Sequence, residues 1–389
     1  MKKIRTYNSI STHGLDRFPR DNYEVASEVS EPDAIMLRSQ NLHQTEFPDQ
    51  VKAIARCGAG VNNIPVSDCT HKGIVVFNTP GANANAVKEL VLTGMLLSSR
   101  KILDGVGFAK QLASEKDNPE FSKLVEKEKK RFVGSELAGK TLGVVGLGAI
   151  GASVAHSALA LGMKVIGYDP VLSVDAAWQL SSQIKRAENI QWLLARCDFV
   201  SLHVPANEHT KDLLNSENLS YLKEDAVLLD FARGSVVNQS ALLDSLESGR
   251  IAQYVCDFPS PDLLEHPKIV LLPHLGASTK EAEQNCALMA ADQLMDFLEN
   301  GNIRNSVNFP SISLERTQGH RIAFANDNVP KVLSQVLSVL SDLEINVIDM
   351  LNRSRDDIAY TIMDIETEPT SEVLAQIAEV EHVFNVRAF

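Results

Sequence analysis

The stretch that decides the fold is "TLGVVGLGAIGASVAHSALALGMKVIGYDP", Thr141–Pro170. Apolar Leu142–Val145 reads as a strand, Gly146–Gly151 as a turn, the small-residue run behind it as a helix, and "KVIGYD" as a second strand. G-x-G-x-x-G in that setting has a physical reading. Gly146 permits a tight turn, Gly148 lets the backbone approach a pyrophosphate, and Gly151 lets helix and strand pack closely. Ala149 and Ile150 complete the cradle at the helix N-terminus, which attracts an anion. Asp169 follows at about 20 residues, the offset at which a carboxylate accepts from the adenosine ribose hydroxyls. It would repel a 2′-phosphate, so NAD is expected rather than NADP. The plain alternatives are a glycine turn without a ligand and an Asp-Pro turn.

Working outward, strand-like runs continue at "DFVSLHVP", "AVLLDFARGS", "AQYVCDF" and "KIVLLPHL", separated by helical stretches. Alternating strand and helix argue a doubly wound parallel sheet. Upstream, "AIMLRS", "VKAIARCGAG" and "GIVVFNTPG" read as strands of a second, mostly parallel sheet, followed by an apolar helix over about 84–99. The polar run 110–131 reads as a solvated helix or loop. Downstream, "ASTKEAEQNCALMAADQLMDFLENG" is a long helix, with Ser278 and Glu281 as its capping box and Gly301 as its stop. After a linker, "RIAFAN", a helix with Val332, Val336, Leu340 and Leu343 on one face, "NVIDMLNRS", "IAYTIMDIET", "SEVLAQIAEV" and "VFNVRAF" make a βαββαβ unit.

The chain has 389 residues, 44% hydrophobic and 22% charged, an ordinary globular balance that calls for two or three domains. A net charge of −13 gives no reason to expect nucleic acid or an anionic membrane as partner. The five scattered cysteines fit a reducing cytosol and form neither a disulfide frame nor a metal site. The start, "MKKIRTYNSI", lacks the apolar stretch of a signal peptide, and a cytoplasmic protein is expected.

Two further residues stand at strand ends, where open α/β sheets bind ligands. His274 follows a proline after an apolar strand and offers itself as a proton donor. Arg233 follows "AVLLDFA", where a guanidinium can fork onto a carboxylate; read alone, such an arginine is more often a surface or helix-cap residue.

In the order GLGAIG, YDP, HVP, ARG, PHLGAST, the chain from about Ile35 to Gly301 resembles the NAD-dependent D-2-hydroxyacid dehydrogenases. The resemblance implies two doubly wound lobes, a Rossmann NAD lobe and a flavodoxin-like substrate lobe, with the small α+β unit behind them. The expected division is 1–100 and 285–310 for the substrate lobe, 101–284 for the NAD lobe and 319–389 for the tail. Arg233 and His274 inherit the catalytic roles. Thr79, His203, Val204, Pro205, Phe231, Ala232, Asp257, Gly276 and Ala277 join Arg233 and His274 around the cofactor. The family's usual glutamate partner of the histidine is missing from "DFPSPDLL"; Asp262 stands at its offset, with Glu265 as rival and a helix-capping role as the alternative for Asp262, while Asp257 is expected to face the nicotinamide.

The tail looks like an ACT module, and with it the resemblance implies oxidation of 3-phosphoglycerate to 3-phosphohydroxypyruvate. The backbone amides of Cys57, Gly58, Ala59 and Gly60 would then hold the substrate carboxylate, and Arg38 and Asn62 its phosphate end; a surface salt bridge is the alternative for Arg38. Asn326, Asn328 and Asn346 stand where such modules contact an amino-acid effector, although Lys331 replaces a glycine there. A homodimer or homotetramer is expected. A glyoxylate or hydroxypyruvate reductase and a non-catalytic NAD sensor are the rival readings.

Overall fold

The computed structural model describes residues 1–389, which fall into two compact units, Met1–Ala82 with Lys280–Phe389, and Asn83–Thr279. In the first, β1 (Lys2–Thr6), β2 (Tyr23–Ala26), β3 (Ala34–Leu37), β4 (Ala53–Arg56) and β5 (Val75–Phe77) form a parallel sheet in the order β2-β1-β3-β4-β5. Successive side chains of a strand point to opposite faces, and both faces here are covered. Ala34, Met36, Ala55 and Phe77 join one core, and Ile35, Leu37, Ile54 and Val76 another. The helix Lys280–Asn300 lies on the first face through Cys286, Ala287, Ala290, Leu294 and Phe297, and Gly301 follows it at φ +72°.

In the second unit, β6 (Thr141–Val145), β7 (Lys164–Tyr168), β8 (Lys185–Arg186), β9 (Phe199–Leu202), β10 (Ala226–Asp230), β11 (Ile251–Cys256) and β12 (Ile269–Leu271) form a parallel sheet ordered β12-β11-β10-β9-β6-β7-β8. The strand order reverses direction between β6 and β9, the crevice where such sheets bind ligands, and the glycine loop leaves β6 there. The helix Ala84–Arg100 also belongs to this unit. Its Val87, Val91 and Met95 pack against Leu142, Val144, Leu229 and Val255. The units therefore divide at 82/83 and 279/280, not at 100/101 and 284/285. Residues 101–136 contain no buried residue and form two short helices, Ile102–Gln111 and Phe121–Glu128, each followed by a 3-10 turn.

The last four strands, β13 (His320–Asp327), β14 (Val347–Arg355), β15 (Ile358–Ile365) and β16 (Val383–Ala388), form an antiparallel sheet ordered β14-β15-β13-β16. Helices Val332–Asp342 and Ser371–Ala378 cover one face through Val336, Leu340, Val373 and Ile377. The other face is not free. Ala323, Ala325, Tyr360 and Ile362 share a core with Phe77, Phe297 and Phe309, so the βαββαβ module is fused to the first unit. Buried Arg321 locks this seam. It grips Asp364 with Nε (2.7 Å) and Nη2 (3.0 Å), and donates to the carbonyls of Asn300, Leu314 and Glu315. No helix is long and apolar enough to cross a membrane.

Candidate active site

The glycine loop is shaped as steric reasoning requires. Gly146 has φ +89°, and a Cβ there would lie 2.6 Å from the His203 carbonyl oxygen; one on Gly151 would lie 1.9 Å from that of Gly146. At Gly148, the N-cap of the helix Ala149–Ala160, a Cβ would meet nothing within 4 Å, which leaves the helix N-terminus open. Asp169 braces the loop: Oδ2 accepts the Leu147 N–H at 2.8 Å and Oδ1 the Val171 N–H at 3.0 Å. His203 pairs Nε2 with Ser201 Oγ at 2.8 Å, while its buried Nδ1 has no partner. Burial pushes this imidazole down to about 3, so it is neutral and retains one unmet ring nitrogen. An open cradle, an orphaned polar atom and a carboxylate at the second strand end fit a dinucleotide.

At the neighbouring strand ends, Arg233 follows β10, donates from Nη1 to the Ala232 carbonyl at 2.7 Å, and lies 5.8 Å from the ring centre of Phe258. That ring also meets the His274 imidazole edge-on, centroids 5.0 Å apart. Phe258 thus touches both candidate catalytic groups, and the sequence reading passed it over. Its one signal is its place immediately after Asp257. His274 is exposed and sits at φ +58°, an unusual conformation for a non-glycine residue. Buried Asp257 holds that turn, its two oxygens accepting the Leu275 and Gly276 N–H groups, each at 2.7 Å. Burial raises its carboxyl, and these bonds with the His274 charge pull it partly back. Of the buried residues expected here, Phe231 and Ala232 lie in the Arg233 turn and Gly276 in the His274 turn.

Asp262 is directed elsewhere. It lies in a 3-10 turn, Pro261–Leu263, and its Oδ2 accepts from Gln239 Nε2 at 2.8 Å. Glu265 is exposed on the same loop. The carboxylate bonded to the backbone of the His274 turn is Asp257, through the Leu275 and Gly276 N–H groups.

In the first unit, the expected anion loop is partly occupied by its own fold. The Cys57 N–H extends the strand ladder to the Leu37 carbonyl at 2.8 Å, and the Gly58 N–H closes a turn onto the Arg56 carbonyl at 2.9 Å. Of the four expected amides, those of Ala59 and Gly60 remain to meet a ligand. Arg56, which the sequence reading missed, shapes the loop by donating to the carbonyls of Gly60 and Arg38. Thr79, fully buried, ties its N–H to the Gly58 carbonyl at 3.1 Å. Arg38 pairs with Glu283 at 2.6 Å, both half-exposed; Asn62 is exposed nearby in sequence, its carbonyl meeting His43 Nε2 at 3.0 Å. In the module, Asn326 is buried with its Oδ1 unpartnered, Asn328 Nδ2 donates to the Asp356 carbonyl at 3.0 Å, and Asn346 is exposed. Lys331 takes the left-handed conformation, φ +79°.

Comparison with known proteins agrees with this geometry. Residues 106–276 match the family "D-isomer specific 2-hydroxyacid dehydrogenase, NAD binding domain". A D-3-phosphoglycerate dehydrogenase of Haemophilus influenzae is 30% identical over 94% of this chain and 89% of its own. One from Synechocystis is 35% identical over 80% of this chain, which spans only 57% of that longer protein. The NAD+-bound 3-phosphoglycerate dehydrogenase of Entamoeba histolytica superposes with a TM-score of 0.64 at 26% identity, over 80% of this chain and 99% of that one. The chain belongs to the NAD-dependent D-2-hydroxyacid dehydrogenase family, beside its members named D-3-phosphoglycerate dehydrogenases.

Proposed function

We propose that the protein oxidises 3-phosphoglycerate to 3-phosphohydroxypyruvate with NAD, the first step of phosphorylated serine biosynthesis. The observation that carries this is Arg233 and His274 on either side of Phe258 at the strand ends beside the dinucleotide cradle, in a chain that matches a phosphoglycerate dehydrogenase almost end to end. Bound NAD supplies the hydride acceptor for C2. His274 takes the C2 hydroxyl proton, and in reduction returns it. Arg233 forks onto the substrate carboxylate and polarises the C2 oxygen. Asp257, by holding the His274 turn, keeps the imidazole where the proton leaves. The amides of Ala59 and Gly60 and the Arg38 and Asn62 side chains serve the carboxylate and phosphate ends. NADH formation with 3-phosphoglycerate tests the reading; turnover confined to glyoxylate or hydroxypyruvate makes the protein a reductase, and NADH binding without any turnover makes it a sensor.

Asp169 sets the cofactor choice. Asp169→Arg should raise the NADP-to-NAD ratio of kcat/KM by about tenfold or more, since a 2′-phosphate loses a repulsion and gains a partner. Equal use of both cofactors by the unaltered protein sinks this reading.

The tail module serves as an ACT-type regulatory unit. Its unpartnered Asn326 Oδ1, with Asn328 and Asn346, supports an amino-acid effector. L-Serine at millimolar concentration should inhibit, and Asn346→Ala should relieve the inhibition; no inhibition leaves the module an assembly element. A second copy of the chain is the expected partner, supported by exposed Leu96, Ile102, Leu103 and Val106 on helices with little else to cover them. Sedimentation distinguishes a dimer or tetramer from a monomer.

A further inference from the structure

The Arg233 turn leans on an acid that the reaction leaves unused. Asp230 ends β10 with no exposed surface. Its Oδ1 accepts the Ala232 N–H at 3.0 Å, and its Oδ2 accepts the Tyr254 hydroxyl of β11 at 3.1 Å. The Arg233 N–H also faces it. Its backbone carbonyl accepts the Asp257 N–H at 3.1 Å, so the two strand ends that carry Arg233 and the acid beneath His274 meet at this residue. A strand end inside an apolar sheet needs no carboxylate, because burying one is costly unless it is well bonded. Here every bond it makes outside the strand goes to the Arg233 turn or to the adjacent strand.

We propose that Asp230 is a positioning residue for Arg233: ionised and backed by Tyr254, it fixes the turn Phe231–Arg233 and thereby aims the guanidinium at the substrate carboxylate. Protonation weakens the charge-assisted bonds that hold the turn. Substrate binding therefore strengthens as pH rises through the titration of Asp230. This rests on the reading of Arg233 as the carboxylate-binding group.

The surrounding groups leave that titration to Asp230. Burial pushes it up to about 7, with the Ala232 N–H, Tyr254 hydroxyl and Arg233 pulling it down. From β11, burial pushes the Tyr254 hydroxyl well above its ordinary range and the Cys256 thiol up to about 12, so both are neutral there. Asp257, also raised by burial, is committed to the His274 turn. From β9, the residue paired with Asp230 is Leu202, which does not titrate.

The test is the pH dependence of kcat/KM for 3-phosphoglycerate, which reports groups of the free enzyme. Asp230→Asn keeps an acceptor for the Ala232 N–H but cannot ionise. It should flatten the Asp230 step near pH 7 while the limb set by proton transfer to His274 remains, and, above that step, raise KM about tenfold with a smaller change in kcat, the effect of losing a charge-assisted bond. Tyr254→Phe removes a donor to the carboxylate and should move the same step to higher pH. NADH binding, followed by fluorescence, should hold in both. Profiles that superimpose on the wild type in both variants overturn the inference. Arg233→Gln separates the two levels. If it leaves KM unaltered, the functional reading fails; if it raises KM while the Asp230 and Tyr254 variants do not, only the positioning role fails.

Discussion

His274→Ala lowers turnover by about 10²–10⁴-fold, the ordinary worth of a positioned general acid–base. That is roughly 2.7–5.5 kcal/mol of barrier. The loss should fall on kcat, because the imidazole acts when the C2 proton moves and contributes little to holding NADH. The backbone complicates an alanine result, since residue 274 sits at φ +58°, where alanine is strained. His274→Asn answers this. Asparagine accepts the left-handed region more readily than other non-glycine residues and cannot take the proton. Equal losses in both variants with intact NADH affinity place the defect in proton transfer. A loss in the alanine variant alone would mean that the turn, not the imidazole, was damaged. Wild-type turnover in His274→Asn removes the residue from the mechanism.

The cradle was legible because its logic is steric and local. Gly146 and Gly151 stand where a side chain would collide with a carbonyl, and that demand appears in the letters themselves. The doubly wound parallel sheet followed from alternating strands and helices. Which unit a helix belongs to did not. The stripe Val87, Val91, Met95 specifies an apolar partner without naming the sheet, and packing against Leu229 and Val255 is a long-range fact. The direction of Asp262 was not legible for a related reason. Counting from Asp257 assumes an extended loop, whereas residues 261–263 coil into a 3-10 turn and aim Asp262 at Gln239. The covered face of the tail sheet had a visible sign: Ala323 and Ala325 alternate with Ile322 and Phe324, apolar on both faces of one strand. Such strands are buried on both sides.

That same strand holds the largest expected effect on stability. Arg321→Ala should destabilise the first unit by about 3–5 kcal/mol, because it leaves the buried Asp364 carboxylate without its partner. The lost side chain also uncovers the carbonyls of Asn300, Leu314 and Glu315, which join the end of the long helix and the linker to the module. The pH dependence gives a signature. Burial pushes Asp364 up, but the hydrogen bonds of Arg321 and Thr317 outweigh it and hold the carboxyl below its ordinary value. A carboxyl depressed in the folded state contributes stability above its unfolded pKa, about 3.9, and that contribution is lost as pH falls through the folded value. The gap between wild type and Arg321→Ala in urea unfolding should therefore be full at neutral pH and shrink below about pH 4. Replacing both partners by apolar residues, Arg321→Met with Asp364→Leu, should recover much of the loss, since no buried charge then remains alone. A single variant as stable as the wild type at neutral pH would show that the pair is incidental to the seam. A double variant as weak as the single would place the stability in the carbonyl contacts of Arg321, and not in its charge.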